Sequence, residues 1–316
     1  MFPTKILLAT DGSEEATHAA QMAMMLSEKL DSELHVAYVE PLPDPYGVPE
    51  YAVYSPTYWD EVREIADRDA RKKLAEEVEK LEKIGRIADS HARFGRPDAE
   101  TANLAGELDA GLMIVGSRGL GPVRRALLGS VSDSIVHHAH CPVLVVRDGE
   151  REKDYLPGRI LLAVDGSEEA DAATRAAVEI SNATGSELHL VFALRTDPQP
   201  PYPHLLMGER WDSIIERTKQ KAREFVDRRA EKIQAEGGEV RDAHLSFGKP
   251  DAEIVKLGEE LQAGLIVVGS RGLGGIDRAL MGSVSDSVVR HAHSPVLVVR
   301  GAGQQRETAA AEAKRT

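Results

Sequence analysis

Ile6-Leu7-Leu8-Ala9-Thr10-Asp11-Gly12-Ser13-Glu14 returns later in the chain as Ile160-Leu161-Leu162-Ala163-Val164-Asp165-Gly166-Ser167-Glu168. A short apolar run closed by Asp-Gly-Ser reads as a buried strand, a tight turn and a helix cap. Outward from this stretch the repetition continues. Ser32-Glu33-Leu34-His35 returns as Ser186 to His189, and Val115 to Gly121 returns unchanged as Val268 to Gly274. Gly129 to Arg147 returns as Gly282 to Arg300 with 16 of 19 positions identical. A period of about 153 residues is a whole domain, not a solenoid unit.

Within one copy, strand-like and helix-like segments alternate. Strands are expected at Lys5 to Thr10, Glu33 to Val39, Ala88 to Phe94, Gly111 to Val115 and Pro142 to Arg147. Helices are expected at Glu14 to Leu30, Trp59 to Ile84, from Pro97, and at Ser130 to His138. Alternation of this kind predicts an α/β domain with a parallel sheet and both faces covered. Ligands in such sheets bind beyond the carboxyl ends of the strands, where strand order reverses. The expected organisation is domain one at 1–148, a charged linker at 149–158, domain two at 159–301 and a tail at 302–316.

The composition narrows the function. The net charge of −13 repels a phosphate backbone, so no nucleic-acid partner is expected. The longest apolar runs are far shorter than a membrane span, so no membrane partner is expected either. The single cysteine, Cys141, fits a reducing compartment, and the cytoplasm is the expected location.

The chemistry is expected in a glycine loop. Gly116-Ser117-Arg118-Gly119 closes the fourth strand, and Gly129-Ser130 opens the next helix. Gly269, Arg271, Gly272, Gly282 and Ser283 repeat the spacing. Glycines let the backbone take positive φ and approach a ligand closely. Consecutive N–H groups then form a nest, and a helix N-terminus favours negative charge. The hydroxyls of Ser130 and Ser132 are further donors. The loop lacks the Gly-Lys-Ser/Thr of a P-loop. Its glycines also have a plain reading, as tight turns at strand ends.

Spacing and repeat together make the chain resemble the universal stress protein family in its tandem-domain, ATP-binding form. The resemblance rests on Gly-x2-Gly-x9-Gly-Ser/Thr at Gly116, Gly119, Gly129 and Ser130, and at Gly269, Gly272, Gly282 and Ser283. It rests also on Asp11 and Asp165, and on Pro142 to Val146 and Pro295 to Val299. It implies two Rossmann-like (adenine nucleotide alpha hydrolase-like) domains, each a five-stranded parallel sheet in 3-2-1-4-5 order. It implies ATP as a regulatory ligand, with Mg2+ or Mn2+ as its companion, and hydrolysis that is slow or absent. It implies an internal pseudo-dimer through the fifth strands, with a homodimer as the next assembly. Carried across by position, Ala9, Thr10 and Asp11 flank the adenosine and Val39 lines the adenine slot. Gly116, Arg118, Gly119, Gly129, Ser130, Val131 and Ser132 surround the phosphates. The second-domain equivalents are Ala163, Val164, Asp165, Ala193, Gly269, Arg271, Gly272, Gly282, Ser283, Val284 and Ser285. The residue heading the fourth strand is often Asp in the family. Here it is Gly111 or Gly264, which suggests a looser strand entrance.

Some residues carry two readings. Asp11 and Asp165 serve the site or cap the first helix through an Asx-turn. Arg118 and Arg271 clamp phosphates or point to solvent. His137, His138, His140, His291 and His293 fit the cation-favouring last turn of a helix better than a metal centre, so no metal ligand and no catalytic residue is assigned. The aromatic loop of Tyr46, Tyr51, Tyr54, Tyr58 and Trp59 is a lid, a partner surface or plain packing. Arg124 faces Asp277 across the repeat, which favours the first site for an anion. Besides the ATP-binding regulator, a slow ATP hydrolase or nucleotidyl transferase and an empty dimerisation scaffold remain open.

Overall fold

The computed structural model describes residues 3–42, 55–119, 128–147, 156–195, 209–272 and 281–301. Most of the aromatic loop, positions 124 and 277, the linker up to Tyr155 and the tail from Ala302 lie outside these residues. The chain divides into two compact units between Tyr155 and Leu156.

The first unit runs β1 (Lys5–Thr10), α1 (Glu14–Lys29), β2 (Glu33–Pro41), α2 (Pro56–Leu81), β3 (Asp89–Gly95), α3 (Pro97–Leu108), β4 (Leu112–Gly116), α4 (Ser130–His138) and β5 (Val143–Val146). The second runs β6 (Arg159–Ala163), α5 (Glu168–Thr184), β7 (Glu187–Leu194), α6 (Glu209–Ala235), β8 (Val240–Phe247), α7 (Pro250–Glu260), β9 (Leu265–Gly269), α8 (Ser283–His291) and β10 (Val296–Val299). All strand pairings within a unit are parallel. The order is β3-β2-β1-β4-β5 in the first unit and β8-β7-β6-β9-β10 in the second, as expected.

Burial explains the sheet. Every residue of β4 and β5 is buried, so their Val, Ile and Leu side chains meet helices on both faces. Ile6, Leu7 and Leu8 of β1 are fully buried between β2 and β4. Chain reversal at β1 and β4 leaves the crevice where a ligand is expected.

Each first helix is started by its own turn. Asp11 Oδ1 accepts the Ser13 N–H at 3.0 Å, and Asp165 Oδ1 accepts that of Ser167 at 2.9 Å. Ser13 and Ser167 then cap the helices by accepting the N–H of Ala16 and Ala170. Gly12 and Gly166 sit at φ +77° and +90°, which a side chain would oppose.

The strand entrance is tight, not loose. A Cβ on Gly111 would lie 2.5 Å from Pro3 Cβ, and one on Gly264 would lie 2.6 Å from Pro157 Cα. Glycine is needed there because a proline crosses directly over the strand head. Among the described residues, no helix is long and apolar enough to cross a membrane.

Candidate functional site

The loop after β4 folds back on its own start. Ser117 N–H donates to Val146 O at 2.7 Å, and Gly129 N–H donates to Ser117 O at 2.8 Å. The second unit repeats this, with Ser270 donating to Val299 and Gly282 to Ser270. Ser13 and Ser167 reach the loop carbonyls of Arg118 and Arg271 at 3.5 and 3.4 Å. The hydroxyls of Ser132 and Ser285 donate to Gly116 O at 2.7 Å and Ser270 O at 2.9 Å. Both serines are buried. Their hydroxyls brace the loop, where the sequence had suggested donors to a ligand.

The loop glycines also differ from expectation. None of Gly116, Gly119, Gly129, Gly269, Gly272 and Gly282 has positive φ. Close approach is what demands glycine. A Cβ on Gly119 would lie 2.2 Å from Asp11 Oδ2, and one on Gly272 would lie 2.3 Å from Asp165 Oδ2. Gly116 and Gly269 lie against the first turn of α1 and α5, at Glu15 and Glu169. Gly129 and Gly282 are extended N-caps of α4 and α8 with no side-chain cap bond, so these helix starts keep their N–H groups for other acceptors.

The loop arginines each reach a glutamate in the first turn of the neighbouring helix. Arg118 pairs with Glu15 at 2.8 Å, and Arg271 pairs with Glu169 at 2.8 Å. The two pairs differ in burial. The side chain of Arg118 is 38% exposed, that of Arg271 only 15%. Both Nε atoms are buried without a hydrogen-bond partner, so each guanidinium retains unused donor capacity. Arg147, at the end of β5, adds a second cation near this loop. Burial, and after it the charge of Arg118, pull Arg147 down to about 10.

In the second unit these elements enclose a cavity of about 330 Å3. All eleven site residues expected there line it. Ala163, Val164 and Asp165 come from the end of β6, and Ala193 comes from β7. Gly269, Arg271 and Gly272 come from the loop, and Gly282, Ser283, Val284 and Ser285 from the start of α8. The sequence reading missed Ala170, Val191, Pro250, Ile254 and Val268, which also line it. Pro250 opens α7 and Ile254 lies one turn on, a signal visible only once α7 is placed against β7. In the first unit, Ala9 and Thr10 end β1 and Asp11 follows it, Val39 lies in β2, Gly116 ends β4, and Arg118 and Gly119 follow. Ser130, Val131 and Ser132 form the first turn of α4, with Val131 exposed and Ser132 buried. Thr10 is buried, and its hydroxyl accepts the Gly12 N–H at 3.2 Å.

His137, His138 and His291 occupy the last turns of α4 and α8. His140 and His293 fall just past the helices, which corrects their expected placement. His138 and His291 each turn Nδ1 to a carbonyl one helical turn back.

Two tandem doubly wound α/β units, each with a braced loop beyond β4 or β9, define the class. The chain belongs to the universal stress protein family, whose description matches residues 3–147 and 157–300. It is similar to a universal stress protein of Mycobacterium bovis, 27% identical over 308 residues, covering 93% of this chain and 96% of that relative. A universal stress protein of Mycolicibacterium smegmatis is 33% identical over 192 residues, covering 60% of this chain. That match spans 62% of the relative's own length. Among solved structures, a universal stress protein from Archaeoglobus fulgidus superposes with a TM-score of 0.65 at 28% identity, covering 94% of this chain and 96% of that one.

Proposed function

We propose that this chain is an ATP-binding regulatory universal stress protein with one nucleotide site per domain. The cavity in the second unit carries the reading. It sits beyond the carboxyl ends of β6 and β9, with apolar walls at one end. At the other end are the glycine loop and an uncapped helix start. That division suits an apolar base and an anionic phosphate chain. Its volume lies at the small end of the usual range for ligand pockets.

Binding is favoured over turnover by the arginines. Phosphoryl transfer needs cations poised at the transferring group. Here Arg118 and Arg271 each share their charge with a carboxylate, which lowers the positive charge available to a transferring group. The proposal includes Mg2+ or Mn2+ beside the phosphates, a cytoplasmic location and the pairing of domains that the family resemblance implies.

The test is direct. Freshly purified protein is denatured and its supernatant run on anion exchange, then nucleotide-free protein is titrated with ATP and magnesium by calorimetry. ATP in the supernatant and micromolar binding are expected. No released nucleotide together with no heat at protein concentrations well above micromolar would overturn the proposal.

A further inference from the structure

His35 in β2 and His91 in β3 meet through Nδ1 and Nε2, 3.1 Å apart. The second unit repeats the pair, with His189 Nδ1 and His244 Nε2 3.2 Å apart. Both pairs lie near the amino ends of their strands. His35 is opposite Asp89 in register, and His189 is opposite Asp242. The ATP cavity lies at the other, carboxyl end.

Carboxylates flank each pair. Asp89 is 3.8 Å from His91 Nε2, and Glu33 is 3.7 Å from His35 Nε2. In the second unit Asp242 is 3.8 Å from His244 Nε2, and Glu187 is 3.8 Å from His189 Nε2. His35, Asp89 and His91 offer one ligand atom each, all within 4.8 Å of one another, a spacing that His189, Asp242 and His244 do not reach. The inner rings are deeply buried, with side-chain exposures of 9% for His35 and 8% for His189. Yet the Nε2 of each has no hydrogen-bond partner. That nitrogen faces Glu33 or Glu187, and in both copies each inner ring turns its other nitrogen, Nδ1, to the partner histidine.

We propose that each unit holds one divalent transition-metal ion, bound by His35, His91 and Asp89 in the first and by His189, His244 and Asp242 in the second. Glu33 and Glu187 lie on the Nε2 side of the inner rings, away from the facing nitrogens. Imidazole with carboxylate suits zinc and its neighbours in the first transition row, not calcium or magnesium. Zinc bonds of about 2.0–2.1 Å in a tetrahedron place neighbouring ligand atoms about 3.4 Å apart. The paired nitrogens need to spread by only a few tenths of an ångström to reach that spacing. Without metal they share one proton in an N–H···N bond, and the rings must turn to aim both lone pairs at an ion. Burial, with the charges of His35 and Arg93 and against those of Asp89 and Glu107, holds His91 below the ordinary imidazole range. Burial, then His244, does the same for His189, against Glu187 and Asp242 and with Arg159. A bound ion would tie β3 to β2 and β8 to β7.

The test uses the full chain, stripped with chelator and dialysed against zinc, with bound metal measured by atomic emission. Two equivalents are expected for the wild type, one for His91→Gln, and none for His91→Gln/His244→Gln. Zinc should raise the Tm of the wild type and leave that of the double variant unmoved. Should the double variant fail to fold, Asp89→Asn/Asp242→Asn alters only exposed carboxylates and should weaken zinc binding at least tenfold. Zinc uptake absent in the wild type, or unchanged by these substitutions, overturns the proposal.

Discussion

The two candidate ATP sites share a frame and differ in their walls. The loop closures and the Asp-to-glycine contacts agree between units within a few tenths of an ångström, while the buried serines brace different carbonyls, Gly116 in the first unit and Ser270 in the second. The walls do not match. Thr10 and Val39 face Val164 and Ala193 across the repeat. Ile254 lines the second cavity, and the repeat places Thr101, also buried, at its counterpart. The close contacts of the loop glycines leave little room for an added atom, whereas the wall positions vary in both polarity and volume between the units. Among the described residues, a difference in affinity between the sites therefore traces to the walls and the arginine pairs, beside the exchange of Arg124 for Asp277 in the sequence.

The strongest test of that comparison is to close one site at a time. Gly119→Val or Gly272→Val drives a side chain into the carboxylate of Asp11 or Asp165. Each should weaken its own site about a hundredfold, about 2.7 kcal/mol. The remaining site is then read alone by calorimetry. The first site is expected to be at least as tight as the second, because Arg118 is less enclosed by its pair than Arg271. A clearly tighter second site would break this ordering, and unchanged affinity in both variants would remove the loop from the site.

A smaller effect comes from the glutamates. Glu15→Gln and Glu169→Gln remove the charge that holds each arginine. An arginine so released can offer its fork to a phosphate oxygen. ATP affinity should rise about three- to tenfold, or about 0.7–1.4 kcal/mol. The gain should be larger at Glu169, where the pair is more buried and competes harder. A loss of affinity instead would mean that the ion pair shapes the loop and that the arginine never turns to the ligand.

Much of this frame was legible in the residues, and what was not has identifiable causes. β1 and α4 begin and end where their patterns predict, since Asp-Gly-Ser and Gly-Ser punctuate them. α2 was expected from Trp59 to Ile84 and runs instead from Pro56 to Leu81. Ser55 caps it, and Pro56 occupies its first turn, a start signal hidden by the aromatic run around it. Of the two reasons the residues offer for the loop glycines, positive φ is absent, and the close approach of Gly119 and Gly272 is to Asp11 and Asp165. The fate of Arg118 was not legible, because Glu15 lies far away in sequence and meets it only after β1 and β4 pair. The histidine pairs escaped for the same reason. His35 and His91 become neighbours only through the β2–β3 register.

The smallest expected effect probes a feature that the units share outside the loop. Asp98, in the first turn of α3, accepts the hydroxyl of Ser134 in α4 at 2.7 Å, and Asp251 accepts that of Ser287 at 2.7 Å. Burial tends to raise Asp98, but the Ser134 hydroxyl, Arg96 and the Ala99 N–H outweigh it and hold its pKa below the ordinary carboxylate range. The Ser287 hydroxyl, acting first and against burial, does the same for Asp251. A carboxylate depressed by folding adds stability above its unfolded pKa of about 4 and loses it as pH falls through the folded value. Asp98→Asn and Asp251→Asn should each cost about 1 kcal/mol at neutral pH, shrinking toward zero in acid. Asp98 has Arg96 as an extra partner at 2.8 Å, yet the Arg96 side chain is 81% exposed. Exposed pairs contribute little, so the two losses should agree within a few tenths of a kcal/mol. Denaturant melts of both variants from pH 7 down to about pH 3 read the difference, across the window where carboxylates titrate. If Asp98→Asn costs twice as much as Asp251→Asn, Arg96 contributes after all and the two clasps are not equivalent.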